Sequence, residues 1–142
     1  MKKIIFSLAF ILIATLGFSQ NTDTQKKFSS LILGSWKLRE VPDEGAVKGF
    51  AMYGDQYYGE SFYNDNGTGT HISLYKTSWK IDKDVLTETV TEDDGQTPTE
   101  EIWIKYRILT LDDTTLALEV IDRHGNTNHR IDGSSKLIFK RQ

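Results

Sequence analysis

The sequence predicts an all-β protein, an up-and-down antiparallel barrel of about eight strands that follows an N-terminal signal peptide. Apolar and polar residues alternate with a period of two along most of the chain, as in strands with one dry and one wet face. Tight-turn signals such as Asn66-Gly67 separate these segments at short intervals. No long helical periodicity is present to cover an open sheet, so the sheet must close into a barrel or form a two-sheet sandwich.

The N-terminus predicts export. Lys2 and Lys3 form a positively charged start, Ile4–Leu16 is an almost continuous apolar run, and Gly17 and Ser19 are the small residues that a signal peptidase requires. We therefore predict a signal peptide over residues 1–19, cleaved after Ser19. The alternative is an uncleaved N-terminal anchor, although the run is short for a membrane span.

Composition and charge exclude several classes of protein. The 142 residues correspond to one domain. Without Lys2 and Lys3, 15 basic residues remain against 20 acidic ones, a net charge of −5. An acidic chain is not expected to bind nucleic acid or the surface of an anionic membrane. The chain has no cysteine, which excludes disulfides and thiolate sites. We predict a periplasmic or secreted protein with no membrane span after cleavage.

The mature chain is predicted to begin with a flexible segment over residues 20–30, followed by a barrel domain over residues 31–142. A short helical turn is expected at Phe28–Leu33, because Phe28, Leu31 and Ile32 would share one side. The predicted strands are Ser35–Val41, Tyr57–Asn64, Thr68–Tyr75, Thr77–Asp82, Val85–Thr91, Glu101–Leu111, Thr114–Asp122 and Ser135–Lys140. Residues 68–82 could instead form one long bent strand, which would leave seven.

The later strands show the alternation most clearly. Ile104 and Tyr106 fall on the face opposite Lys105 and Arg107. The same pattern sets Leu116 and Leu118 against Glu119, and Leu137 and Phe139 against Lys136 and Lys140. The two short reversals Lys83-Asp84 and Asp112-Asp113 join neighbouring strands, as expected for up-and-down order.

Several motifs together carry a family resemblance. Gly34-Ser35-Trp36 opens the first strand, and Phe62–Thr70, Trp79-Lys80-Ile81 and Leu109–Leu116 follow in order. From about Leu31 to Lys140 the chain resembles the lipocalins, and in particular the small bacterial lipocalin-like proteins.

The resemblance implies a calycin-type barrel whose closed end is plugged by Trp36. Gly34 would let the incoming turn approach the ring. A cation from Lys140 or Arg141 would lie over the ring. Members of the family usually carry a helix after the last strand, and the residues after Lys140 are too few to form one.

Function is predicted to lie inside the barrel, because eight strands enclose room for side chains or one small ligand. The segment Gly45–Gly59 carries aromatic residues among glycines and is predicted to cover the open end as a lid. The predicted ligand-binding residues are Phe50, Met52, Tyr53, Tyr58, Phe62, Ile72, Trp79, Ile104, Tyr106 and Leu118, and Ile81 is expected to point inward with them. The ligand would be small and hydrophobic or amphipathic. Alternatively, these residues fill a solid core.

A second hypothesis is an interaction protein, a solid barrel that binds an unidentified protein partner through its aromatic rim loop. Trp103 is out of phase with the dry face and would stand on the outside. An enzyme is not expected, since no nucleophile motif occurs and the three histidines are scattered. His124 and His129 share a polar loop with Asp122 and Asp132, but their spacing matches no known metal site. No catalytic residue, metal or cofactor is predicted.

Overall fold

The chain forms a closed antiparallel barrel. The structure, a computed structural model, describes residues 22–40, 59–71, 75–125 and 136–142. A helix, α1, spans residues 22–31. The strands that follow are β1 (Gly34–Glu40), β2 (Glu60–Tyr63), β3 (Thr68–His71), β4 (Tyr75–Asp82), β5 (Val85–Asp93), β6 (Trp103–Leu111), β7 (Thr115–His124) and β8 (Lys136–Arg141).

Each strand pairs with the next one in sequence, and β1 pairs with β8. Trp36 lies opposite Arg141 and Leu38 lies opposite Phe139 in this closing pair. Closure leaves no unpaired sheet edge among the described strands, which removes the hazard that an exposed edge presents. The predicted all-β barrel of eight strands is confirmed, and the sandwich and the seven-strand alternatives are excluded.

In the N-terminal segment, residues 22–31 are helical. They overlap residues 20–30, for which a flexible stretch is predicted. The predicted turn at Phe28–Leu33 overlaps the C-terminal part of this helix, which ends at residue 31. Phe28 and Leu31 pack against the apolar core, and Ile32 is fully buried in it. Burial of this apolar side accounts for a helix in a segment that reads as polar from its sequence.

The reversal between β3 and β4 also lies elsewhere than predicted. Tyr75 was placed at the end of the third strand, but it begins β4 and pairs with His71 across the hairpin. β4 therefore runs unbroken from Tyr75 to Asp82. Tyr75, Thr77 and Ile81 are buried in it, and the residues next to each of them along the strand are exposed. The apolar character of Tyr75 suits either strand, so the pattern alone could not assign it.

The Asn66-Gly67 hairpin forms where the sequence predicts it, although only Gly67 takes a positive φ, of 78°. Asn66 contributes its side chain instead. Its Oδ1 accepts hydrogen bonds from the Thr68 amide at 3.1 Å and from the Thr68 hydroxyl at 2.7 Å. The turn is thus held by a local side-chain contact of the kind that asparagine favours.

The core fills the half of the barrel nearest α1. Its largest fully buried side chains include Trp36, Tyr63, Tyr106 and Phe139. A second, smaller group, Tyr75, Val90 and Ile102, lies toward the opposite end. No helix within the described ranges is long and apolar enough to cross a membrane.

Candidate functional site

One end of the barrel is closed around Trp36. Its ring is fully buried, and its Nε1 donates a hydrogen bond to the carbonyl of Ile32 at 2.6 Å. Gly34 adopts a φ of +106°, a conformation that side chains other than glycine rarely take, which brings the end of α1 against the ring. The predicted structural roles of Gly34 and Trp36 agree with this geometry.

Arg141 is the cation that covers the plug. Its guanidinium carbon lies 4.2 Å from the centre of the Trp36 ring. Nη1 donates to the carbonyl of Leu33 at 2.7 Å, Nη2 donates to that of Leu31, and Nε donates to that of Asp113 at 2.8 Å. Of the two predicted candidates, Arg141 takes this position. Lys140 instead donates to the hydroxyl of Thr115.

Above this end the barrel interior holds a buried polar cluster: Tyr63 on β2, His71 on β3, Glu88 on β5 and Tyr106 on β6. Each points inward because strand alternation places it on the same face as buried apolar neighbours. His71 and Glu88 are each only 2% exposed. Polar groups this deeply buried are costly unless they are paired, so they mark a position where function can outweigh stability.

The contacts in this cluster form a chain. The Tyr63 hydroxyl donates to Glu88 Oε1 at 2.6 Å, and His71 Nδ1 lies 2.7 Å from Glu88 Oε2. On the other side of the imidazole, His71 Nε2 lies 3.3 Å from the Tyr106 hydroxyl. The rings of His71 and Tyr106 are tilted by 31° with their centres 5.9 Å apart. Four strands thus contribute to one line of polar contacts, Tyr63–Glu88–His71–Tyr106, although within the described residues His71 Nδ1 and Glu88 Oε2 make no hydrogen bond.

Both tyrosines of the cluster are held in the protonated form. Burial raises the pKa of Tyr63 well above its usual value, and the negative charge of Glu88 raises it further. Burial likewise raises the pKa of Tyr106, followed by the charge of Glu88, while the positive charge of Arg123 lowers it by less. Their hydroxyl protons therefore remain available for hydrogen bonds at neutral pH.

Beside this line lies the hydroxyl of Thr77. Thr77 is 3% exposed, and its Oγ1 makes no hydrogen bond within the described residues. It lies opposite Gly69, which contributes no side chain to the inner wall. A Cβ on Gly69 would lie 3.4 Å from this oxygen and 2.4 Å from the carbonyl oxygen of Phe62. The backbone therefore packs closely at Gly69, next to a buried polar atom that has no hydrogen bond.

Two irregularities in strand register adjoin the cluster. One falls between Lys76 and Thr77 in the β4–β5 pair, and another falls between Lys105 and Tyr106 in the β6–β7 pair. A β-bulge changes the direction of the side chains beyond it and is frequent next to functional sites. In each case the extra residue lies on the partner strand, Thr91 in β5 and Ile121 in β7, whereas Thr77 and Tyr106 follow the alternation of their own strands.

The predicted inner wall is partly confirmed. Tyr106 and Leu118 are fully buried in the core, Ile81 is buried there too, and Trp79 and Ile104 pack against it. The Trp79 ring meets Tyr63 edge to face, with centres 5.8 Å apart. Whether any of them contacts a ligand stays a prediction. The remaining predicted contacts lie outside the described residues: Phe50, Met52, Tyr53, Tyr58 and Ile72.

The prediction that Phe62 points inward is wrong. This side chain is 39% exposed, and its neighbour Tyr63 points inward instead. Two adjacent aromatic residues leave the phase of a four-residue strand ambiguous. The charge of Glu60, which shares the face of Phe62, was the available signal.

The sequence interpretation also missed His71, Thr77 and Glu88. Glu88 could have been found, because it falls between Leu86 and Val90 on the dry face of β5. His71 follows the buried Gly69 by two positions, a weaker signal. The three histidines are scattered along the chain, but in the folded barrel His71 lies next to Glu88 and the two tyrosines of the cluster.

On the outside of the barrel, Trp103 stands on the wet face, as predicted. Its ring stacks on His124 with centres 5.6 Å apart, and Lys105 Nζ lies 4.5 Å from the ring centre. No group of potential metal ligands occurs within the described ranges, and of the polar loop considered for a metal, His129 and Asp132 fall outside them. Compared with known proteins, the chain matches no family model, no curated protein and no solved structure.

Proposed function

We propose that this protein is an exported, lipocalin-like binding protein that holds a small hydrophobic or amphipathic molecule inside its barrel. The observation that carries the proposal is the division of the interior. One end is sealed by α1, Trp36 and Arg141, while buried polar groups line the middle. A protein selected only for stability gains little from a buried His–Glu pair, because apolar residues of similar volume serve equally well.

The closed end supports a single direction of entry. Trp36 and Ile32 fill the barrel beneath the helix, so a ligand would enter past the second apolar group at the opposite end, Tyr75, Val90 and Ile102. Its apolar part would then contact these residues. The resemblance to lipocalin-like proteins supports the same arrangement, since those barrels bind through one open end.

Export is part of the proposal. Cleavage after Ser19 would leave the first described helix intact, because that helix begins at residue 22. N-terminal sequencing of protein recovered from the periplasm or the medium tests this directly. We expect a mature chain that begins at Gln20, and a chain that begins at Met1 would refute cleavage.

Binding is tested by native mass spectrometry of protein purified from its own source, together with titration of the purified protein with N-phenyl-1-naphthylamine, a neutral apolar fluorophore. We expect a co-purified small molecule and a saturable rise in fluorescence. The variant Ile104→Trp adds bulk to the inner wall and should abolish binding. Ile121→Trp makes the same change on the outside, where Ile121 is 40% exposed, and should leave binding unchanged.

The melting temperature of both variants shows whether they fold. Equal loss of binding in both variants, or no binding by the unmodified protein, would refute an internal site.

The outer face of β6 and β7 supports the second candidate, a protein-interaction surface. Trp103 is covered there by Lys105 and His124, and Ile121 is exposed nearby at a register irregularity. Light scattering tests self-association, and Trp103→Ala is expected to abolish any that occurs. A monomer that captures no partner, with or without Trp103, would exclude this function.

A further inference from the structure

The buried polar cluster carries information about the head group of the ligand, provided that the proposed binding function holds. We infer that the bound molecule carries an N–H or O–H donor and is not an anion, and that Thr77 and Glu88 accept hydrogen bonds from it inside the barrel. The argument rests on which hydrogen-bonding positions of the cluster are occupied and on the charge that surrounds them.

The unused positions of the cluster are mostly acceptors. An ionised carboxylate offers about four acceptor positions. In Glu88, Oε1 accepts a hydrogen bond from Tyr63, whereas Oε2 lies 2.7 Å from His71 Nδ1 but makes no hydrogen bond within the described residues. The Tyr63 proton is committed to Glu88, and the Tyr106 hydroxyl faces His71 Nε2. A donor on the ligand therefore finds a free acceptor in Glu88 Oε2. Of the Tyr63, Tyr106 and Thr77 hydroxyls, only that of Thr77 has a proton left for an acceptor on the ligand.

Thr77 is the independent observation that points to a ligand. Its hydroxyl is buried and has no hydrogen-bond partner within the described part of the chain, which costs free energy. A hydroxyl offers two acceptor positions and one donor. A ligand N–H or O–H that reaches Thr77 Oγ1 would satisfy this atom, and Gly69 opposite contributes no side chain at this level.

Thr77 and Glu88 are close enough to share one head group. Thr77 pairs with Val90, while Glu88 pairs with Trp79, so the two lie diagonally across β4 and β5 with both side chains inward. The Cβ atoms of such diagonal neighbours are about 7 Å apart. A single amine or hydroxyl between the two side chains can bond to both.

The charge of the cluster disfavours an anion. Glu88 acts on both buried tyrosines as a negative charge, and its influence on Tyr106 exceeds the opposite influence of Arg123. A carboxylate head group brought to Thr77 would approach this charge in a medium that screens it poorly. It would also lose its hydration and gain in exchange only one free hydroxyl donor, that of Thr77.

The test compares three ligands with the same tail: 1-decanol, decylamine and decanoate, titrated into the purified protein at pH 7 by isothermal calorimetry. We expect 1-decanol and decylamine to bind about tenfold or more tightly than decanoate, since one unmatched buried polar group is worth at least that factor. Equal affinity for all three would overturn the head-group inference and leave the binding barrel standing. No binding by any of them would overturn both.

The variant Thr77→Val tests the position of the head group. Valine keeps the shape of threonine and removes only the hydroxyl. We expect the affinity for 1-decanol to fall about fivefold or more, while Thr87→Val, the same change on the outer face of β5, leaves it unchanged. Unchanged affinity in a folded Thr77→Val protein would overturn the assignment of Thr77. Thermal melting of both variants reports folding, and the comparison of the three ligands on the unmodified protein does not depend on either variant.

Discussion

Arg141 joins three parts of the closed end, and its removal is the sharpest test of this fold. The side chain donates to the carbonyls of Leu31 and Leu33 at the end of α1, donates to Asp113 in the β6–β7 turn, and covers Trp36. We expect Arg141→Met to destabilise the protein strongly, because methionine keeps an apolar stem but can make none of these contacts.

The magnitude follows from the contacts. A hydrogen bond from a charged donor contributes about 1.5–3 kcal/mol, and a cation–π contact at a partly exposed site contributes about 0.5–1 kcal/mol. Arg141 is partly exposed and its bond to Asp113 faces solvent, so we count only the bonds to Leu31 and Leu33 and the ring contact, each at its low end, about 3.5 kcal/mol in all. For a domain of this size that corresponds to a fall in melting temperature of roughly 10 °C.

The assay is urea and thermal unfolding followed by tryptophan fluorescence, with Lys140→Met as the matched control. Lys140 is adjacent and exposed, and it makes a single hydrogen bond to Thr115. Its replacement removes the same charge and should cost less than about 1 kcal/mol. Arg141→Lys should fall between the two, since lysine keeps the charge without the planar fork of donors. If Arg141→Met and Lys140→Met unfold at the same urea concentration, the closed end is not held in this way.

Three further predictions concern other parts of the barrel. Gly69→Ala should destabilise the protein by about 2 kcal/mol or more, because the new Cβ would lie 2.4 Å from the carbonyl oxygen of Phe62. The Cβ of Gly95→Ala would have no neighbour within 4 Å, so this variant should cost only about 1 kcal/mol, from its positive φ. Urea unfolding measures both free energies, and equal effects would contradict the close approach at Gly69. Two backbone amides that donate to Asp112 lower the pKa of its carboxyl group in the folded state, so its contribution to stability is present above the usual carboxyl pKa and is lost as pH falls. In Asp112→Ala, the free energy of unfolding should therefore fall less steeply at acid pH than in the unmodified protein. The same pH dependence in both proteins would contradict this. The raised pKa values of Tyr63 and Tyr106 contribute stability that is complete below about pH 10 and declines as pH rises above it. Absorbance at 295 nm reports tyrosine ionisation and should show two tyrosines that ionise only when the protein unfolds. Ionisation of all tyrosines near pH 10 in the folded protein would contradict the burial of these two.

The sequence prediction named only apolar and aromatic residues as ligand contacts, so it found Tyr106 but not the polar residues His71 and Glu88 of the buried cluster. Alternation identified Tyr106 correctly because its strand is nine residues long and Tyr106 shares a face with the buried Ile108. It failed at Phe62 because β2 has four residues, with aromatic side chains on both faces. A strand this short carries too few positions to average out one ambiguous residue.

The sequence by itself predicted the strands, their order and an all-β architecture, either a closed barrel or a two-sheet sandwich. The period-two alternation and the turn residues act over a few neighbouring positions, and a half-dry sheet without a covering helix must bury its dry face. The local signals placed Trp36 at the start of β1, and the resemblance to lipocalins implied that Lys140 or Arg141 covers it.

Only the tertiary structure decided which residues meet across the barrel. The contacts Tyr63–Glu88 and His71–Tyr106 join residues 25 and 35 positions apart, and Arg141 reaches Leu31 over 110 positions. No local pattern encodes such pairings, because they depend on the strand register around the closed barrel. Polar residues on an inner wall look like interruptions of the pattern until the closed sheet brings them into contact.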